Sequence, residues 1–299
     1  MHAAPPILPN LEILACVGEG GMSTVWKAYS GELDRVVAVK ILKPELMSNR
    51  EDIELFVSEA RTMASIDHPG IVKCYDLVNA QGLWYYIMEF VDGYTFGTLL
   101  HRKQHVGEAD CLAICESVSV ALDYAWNNHG IVHCDIKPEN LMINTSGEVK
   151  ITDLGLARIY AQTGAAQSGD ESPDQILGTP AYISPEQAFG DVQLDCRSDI
   201  YSLAASLYHL STGRVMFPGK DAMDMIRAHC DNESQAVDPR RYRPEISISF
   251  CRMLEAMLVK NRDGRIQTWP DVFSMCRDVE SGVLFKPRDT TLPSSMAID

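Results

Sequence analysis

Residues 131–143 read IVHCDIKPENLMI, and they decide what kind of fold this chain adopts. Ile131 and Val132 lead into a polar cluster, and Leu141, Met142 and Ile143 close it. That pattern predicts a polar loop anchored at both ends in a core. Asp135, Lys137 and Asn140 lie two and three residues apart within it, close enough to converge on one small site. A carboxylate, an ammonium and an amide suit phosphoryl transfer: one group orients a hydroxyl, one steadies a phosphate, one holds a metal. Asp, Pro and Asn are also ordinary turn formers, so a capped turn without chemistry is the competing reading of the loop taken alone.

The rest of the chain sets bounds on that loop. With 299 residues and 46% apolar content it can bury a large core and divide into two unequal lobes. A net charge of −15 argues against a nucleic-acid partner, which needs a basic face. No apolar run approaches the roughly 18 residues needed to cross a bilayer, so no membrane tether is visible. Met1 to Asn10 has neither the charged head nor the apolar centre of a secretion signal. The nine cysteines show no paired C-x-x-C spacing, which favours a reducing compartment: the cytoplasm, or a cytoplasmic domain of a longer protein. Neither oligomeric state nor substrate identity is written in these features.

His133-Cys-Asp-Ile-Lys-Pro-Glu-Asn140 resembles the catalytic loop of eukaryotic-type serine/threonine protein kinases, in their bacterial-like branch. The usual form is H-R-D-x-x-x-x-N, and Cys134 stands where arginine is usual. The resemblance covers about Leu11 to Glu280. It implies an α+β, bilobal protein-kinase fold over 11–280: a small β-rich first lobe, 11–91, with one main helix, and a larger, mainly helical second lobe, 95–280. Residues 1–10 and 285–299 are expected to be flexible termini.

In the first lobe, a strand-like pattern from Leu11 breaks at Gly18-Glu-Gly-Gly-Met-Ser-Thr-Val25 and resumes at Trp26. A glycine-rich turn between two strands lets backbone amides approach phosphates. Ser23 occupies the third glycine position, and because the loop opens no helix it does not fit a Rossmann fingerprint. Val36 to Leu42 is a buried strand containing the single lysine Lys40, whose ammonium needs an anion to be tolerated there. Glu51 to Ile66 carries apolar residues at helical spacing, with Glu59 at the border of that stripe and so placed to meet Lys40. Ile71 to Val78 and Leu83 to Phe90 read as two further strands. By resemblance, Gly18, Gly20 and Gly21 roof a nucleotide. Lys40, paired with Glu59, holds its α and β phosphates, and Val25, Ala38 and Met142 line the pocket. Met88 guards its back, and the main chain at Glu89 and Val91 bonds the base.

In the second lobe, Thr95 to Arg102 and Glu108 to Asn128 read as helices. Cys111 and Cys115, four apart on the second, are core residues rather than metal ligands. Val149-Lys-Ile-Thr-Asp153-Leu-Gly155 resembles the D-F-G motif, thirteen residues beyond Asn140. The resemblance makes Asp153 and Asn140 the ligands of Mg²⁺. Ala161 to Gln175 is polar, and it occupies the activation segment, which ends Gly178-Thr-Pro-Ala-Tyr-Ile-Ser-Pro-Glu186. Thr163, Ser168 and Ser172 are candidate phosphosites or plain linker hydroxyls. Thr179 by analogy bonds Asp135 and Lys137, Asp199 caps a buried helix and ties to the loop backbone, and Arg265 pairs with Glu186. The remaining helices are Asp221 to Ala228, Ser247 to Val259 and Trp269 to Glu280.

The expected activity is transfer of the ATP γ-phosphate to Ser or Thr hydroxyls of protein substrates, with Asp135 and Lys137 catalytic and Mg²⁺ required. A thiol at Cys134 cannot grip a phosphate as an arginine does, so activation is expected not to depend on an arginine–phosphate latch. One alternative is a pseudokinase, a nucleotide-binding scaffold without turnover. Another is a small-molecule kinase, against which the Gly-Thr-Pro and Ser-Pro-Glu segments argue.

Overall fold

The computed structural model describes residues 6–154, 158–159 and 178–282. Gly155, the hydroxyls of Thr163, Ser168 and Ser172, and the 285–299 tail therefore lie outside the described residues. The first lobe is built on strands β1 (Leu11–Glu19), β2 (Ser23–Ser30), β3 (Arg35–Leu42), β4 (Cys74–Ala80) and β5 (Leu83–Glu89). They form one antiparallel sheet in the order β1-β2-β3-β5-β4. Strand β3 is central and covered on both faces, which its near-continuous run of valine and isoleucine requires. Ala38 and Leu42 face the main core, while Val37, Val39 and Ile41 face a smaller one with Trp26 and Tyr85. Leu8 belongs to that second core at 5% exposure, so part of the expected flexible 1–10 lead is packed instead. An isolated leucine in a proline-rich lead gave no periodic signal of this.

Helix α1 (Arg50–Ala64) is capped by Asn49, whose side chain accepts from the Glu51 N–H, and buries Phe56, Val57, Ala60 and Met63. Beyond it, Ile71 was expected to begin a strand, but the ladder starts at Cys74. Residues 70–72 instead stitch the lobes together. The Val72 N–H donates to Ile151 O at 2.9 Å, and the Ile151 N–H donates to Gly70 O at 2.8 Å.

The second lobe opens with β6 (Gly93–Thr95), α2 (Phe96–Lys103) and α3 (Glu108–His129). Strands β7 (Ile131–Val132), β8 (Leu141–Asn144), β9 (Val149–Ile151) and β10 (Arg158–Ile159) then frame the site. Gly93 is required where β6 meets β8, since a Cβ there would sit 1.9 Å from Ile143 O. After them come α4 (Pro185–Ala188), α5 (Cys196–Thr212), α6 (Ala222–Cys230), α7 (Ile248–Met257) and α8 (Trp269–Glu280). Helix α5 is buried almost all round, as an apolar helix at the centre of a lobe must be. Its N-cap is Asp195, not Asp199 as expected: the Asp195 carboxylate accepts from the Arg197 N–H, and Asp199 lies one turn further in. Cys111 and Cys115 are fully buried in the core. Among the described residues, no helix is long and apolar enough to cross a membrane.

Candidate active site

Strands β7 and β8 hold the loop between them at both ends, and the intervening polar residues turn toward one cleft. The Asp135 carboxylate is held from three sides. Lys137 Nζ donates to Oδ2 at 2.7 Å, Thr179 Oγ1 donates to Oδ1 at 2.6 Å, and Asn140 Nδ2 donates to Oδ2 at 3.1 Å. Lys137 also donates to Thr179 Oγ1 at 2.8 Å, closing a ring of three side chains. A hydroxyl from the distant Thr179 thus already sits on the carboxylate that was expected to orient a substrate hydroxyl.

His133 supports this loop from within. Its Nε2 faces Thr152 O at 3.2 Å, and its Nδ1 accepts from the Asp135 N–H at 3.3 Å. That network assigns the proton to Nε2. Burial lowers the pKa of the ring, so the imidazole is neutral and acts as a spacer. The Thr152 N–H donates to Asn140 O at 3.0 Å, which fixes the following residue, Asp153, against the same loop.

Across the cleft, Lys40 Nζ donates to Glu59 Oε1 at 2.7 Å and to Asp153 Oδ1 at 2.6 Å. Burial works against this ammonium, but the charges of Asp153 and Glu59 outweigh it and hold the lysine above its ordinary pKa. Burial opposes ionisation of Asp153 as well, and Lys40 again prevails, keeping that carboxyl below its usual range. Asp153 adopts φ 60, a left-handed backbone that a non-glycine residue holds only when its surroundings impose it. Its side chain keeps 42% exposure, opening onto the cleft. Tyr86 was not singled out from the sequence. It lies opposite Lys40 on β5, and its hydroxyl donates to Glu59 Oε1 at 3.0 Å, aiming that carboxylate. Strand alternation gives its face, but only the register with β3 sets it opposite Lys40.

The glycine turn begins level with this lysine in the sheet, because Gly18 pairs with Val25 and Val25 pairs with Lys40 across three strands. Gly18, Gly20 and Gly21 have no positive φ, and a Cβ at any of them would meet nothing closer than 3.6 Å. Neither backbone geometry nor protein packing therefore demands glycine there. Without side chains beside them, the backbone amides of the turn are able to approach a ligand closely. Ala38 pairs with Met88, both are buried along with Val91, and Met142 packs against the same core. The Glu89 N–H is committed to Lys73 O at 2.9 Å, which narrows the expected base contact at Glu89 to its carbonyl.

Asp153 and Asn140 present oxygens suited to a hard cation, and the Asn140 nitrogen is already taken by Asp135. Among the described residues no group of three or more His, Cys, Asp or Glu could hold a metal ion. A cation here would need oxygens from a ligand too, which is how Mg²⁺ is usually bound with phosphates.

The scaffold beneath is as expected from the resemblance. Arg265 Nη1 and Nη2 donate to Glu186 Oε1 and Oε2 at 2.7 and 3.0 Å. Asp199 accepts from the His133 N–H at 2.7 Å and the Cys134 N–H at 2.9 Å. The Cys134 side chain is 2% exposed and packs in a small apolar cluster with Val132, Leu194 and Trp126.

Comparison with known proteins agrees with this geometry. A protein kinase domain profile matches residues 11–275. Serine/threonine-protein kinase PrkC of Bacillus subtilis is 34% identical over 261 residues, covering 87% of this chain and 39% of that protein. Serine/threonine-protein kinase PknB of Mycolicibacterium smegmatis is 35% identical over 261 residues, covering 86% and 41%. Serine/threonine-protein kinase PknA of Mycobacterium tuberculosis is 36% identical over 250 residues, covering 82% and 55%. The chain spans less than two thirds of the length of each of these relatives.

Proposed function

The chain belongs to the protein kinase domain family, and on that premise we propose that it is a serine/threonine protein kinase using ATP and Mg²⁺. The observation that carries this reading is the Thr179 hydroxyl on Asp135 with Lys137 bridging both. An alcohol oxygen hydrogen-bonded to a carboxylate is the starting arrangement for removing its proton, and an ammonium beside it suits a phosphate. In this reading Asp135 orients the substrate hydroxyl and accepts its proton, and Lys137 neutralises charge developing on the transferred group. Lys40, aimed by Glu59, holds the α and β phosphates, and the backbone of Gly18, Gly20 and Gly21 covers them. Asn140 and Asp153 would hold Mg²⁺, which supplies charge neutralisation along the phosphates when bound.

Activation in this reading does not depend on an arginine–phosphate latch, because position 134 is a buried thiol in an apolar cluster. Protein substrates bearing Ser or Thr are the proposed partners. The test is incubation of the purified chain with labelled ATP, magnesium and a generic basic protein, mapping modified residues by mass spectrometry. Phosphoserine or phosphothreonine should appear, and Asp135→Asn should lower the rate about a thousandfold, the scale on which general-base groups act. Binding of Mg-ATP with no transfer would instead identify a pseudokinase. Phosphatase treatment of active protein should change its rate by no more than about threefold, far less than loss of an ordering phosphate contact.

A further inference from the structure

Cys134 has φ 66, a left-handed backbone disfavoured for any residue with a Cβ, and it immediately precedes the proposed catalytic aspartate. Such a conformation persists only where its peptide groups are held. On the amino side the Cys134 N–H is taken by Asp199. On the carboxyl side Gln187 Nε2 donates to Cys134 O at 2.7 Å. That carbonyl belongs to the same peptide group as the Asp135 N–H, so Gln187 touches the amide on which the carboxylate is mounted.

The orientation of the Gln187 amide is itself fixed. Ser184 caps α4, and its Oγ and N–H donate to Gln187 Oε1 at 2.9 and 3.3 Å. With two donors on the oxygen, the nitrogen is the end that faces Cys134. Gln187 is 3% exposed, so this bond is shielded from water. Gly178 passes directly over it. At φ 124, a Cβ there would lie 3.3 Å from both Cys134 O and Gln187 Nε2. The end of the activation segment is therefore fastened to the catalytic loop by side chains that need no modification.

We infer that Gln187 is a positioning residue for phosphoryl transfer: its amide, aimed by Ser184, holds the Cys134–Asp135 peptide and so sets the catalytic carboxylate. This rests on the kinase activity proposed above, and it supplies the constraint that an arginine–phosphate latch would otherwise provide. Gln187 touches neither nucleotide nor substrate in this account, so its loss should act on turnover and not on nucleotide affinity.

Two variants of nearly unchanged volume test it. Gln187→Met cannot donate at any pH, and its kcat should fall about tenfold with the ATP KM within about twofold, the scale of one lost buried hydrogen bond. Gln187→Glu cannot donate as a carboxylate, but protonation restores an O–H donor, and burial moves that protonation toward neutrality. Its kcat relative to wild type should recover about tenfold between pH 8 and pH 6, a response that a purely structural role would not produce. Hydrogen exchange of residues 131–137 should quicken about tenfold in Gln187→Met, with α8 unaffected. Wild-type kcat in Gln187→Met, or a Gln187→Glu deficit that does not change with pH, overturns the inference. Should Gln187→Glu not fold, Gln187→Met decides by kcat and exchange. Should wild type transfer no phosphate, the activity reading fails separately, and unchanged exchange at 131–137 in Gln187→Met overturns the positioning role by itself.

Discussion

Two ion pairs in this molecule look alike on paper and differ in what surrounds them. Lys40–Asp153, at 2.6 Å, stands at the cleft with the aspartate side chain 42% exposed. Arg265–Glu186, at 2.7 Å, is sealed, with side-chain exposures of 0% and 8%. The sealed pair is also saturated. Arg265 donates to the carbonyls of Val259, Arg197 and Lys260, and Ser198 Oγ donates to Glu186. A pair with one face open can exchange partners for a ligand, whereas a saturated one can only hold elements together. Proximity of opposite charges therefore does not identify a site; the open coordination around them does.

The largest expected effect is on the sealed side. Arg265→Leu leaves Glu186 buried without its cation and should cost about 3–5 kcal/mol of stability, read as the urea midpoint. A cost below about 1 kcal/mol would show that the pair is not sealed in solution. Asp199→Ala should come next. It strands the buried N–H groups of His133 and Cys134, at about 1–3 kcal/mol each, and should lower turnover as well as thermal stability. Lys40→Met should invert the pattern: phosphoryl transfer falls about a hundredfold or more, but stability moves by only about 1 kcal/mol. Burial already pushes the Glu59 carboxyl upward, so that group can take a proton once its cation is gone.

The smallest effect is a slope with pH. Burial alone would raise Glu186, but the Arg265 hydrogen bonds and charge outweigh it and hold that carboxyl below its usual range. A depressed folded-state pKa contributes stability that is fully present above about pH 4.5 and lost as pH falls through the lower folded value. Glu186→Gln should flatten that acid-side loss by about 1 kcal/mol in denaturant melts at pH 5 and pH 3. An unchanged slope would assign the acid sensitivity to other carboxylates.

The charged residues of the site were legible in the sequence because each broke a pattern. Lys40 is the one cation in the apolar run 36–42, Glu59 borders an apolar helical stripe, and Asp135, Lys137 and Asn140 interrupt two apolar anchors. Residues that conform to their patterns stayed hidden. Tyr86 reads as an ordinary strand aromatic, and its hydroxyl contact depends on register with β3. Gln187 reads as a helix residue, and its reach to Cys134 spans 53 positions of sequence. The cap of α5 was misplaced because Asp195 and Asp199 are both aspartates near the helix start, and only the backbone angles distinguish them. The role of the glycines at 18, 20 and 21 rests on resemblance, since neither a positive φ nor a close protein contact demands glycine at these positions.

The stitch between Gly70, Val72 and Ile151 has a mechanical consequence. It joins the two lobes only a few residues past the end of α1, so it acts as a fulcrum. A change in the width of the mouth above Asp135 would be a rocking about that point, not a sliding apart. The turn at Gly20, between strands β1 and β2 at the edge of the sheet opposite β4, would then sweep a longer path than residues 70–72.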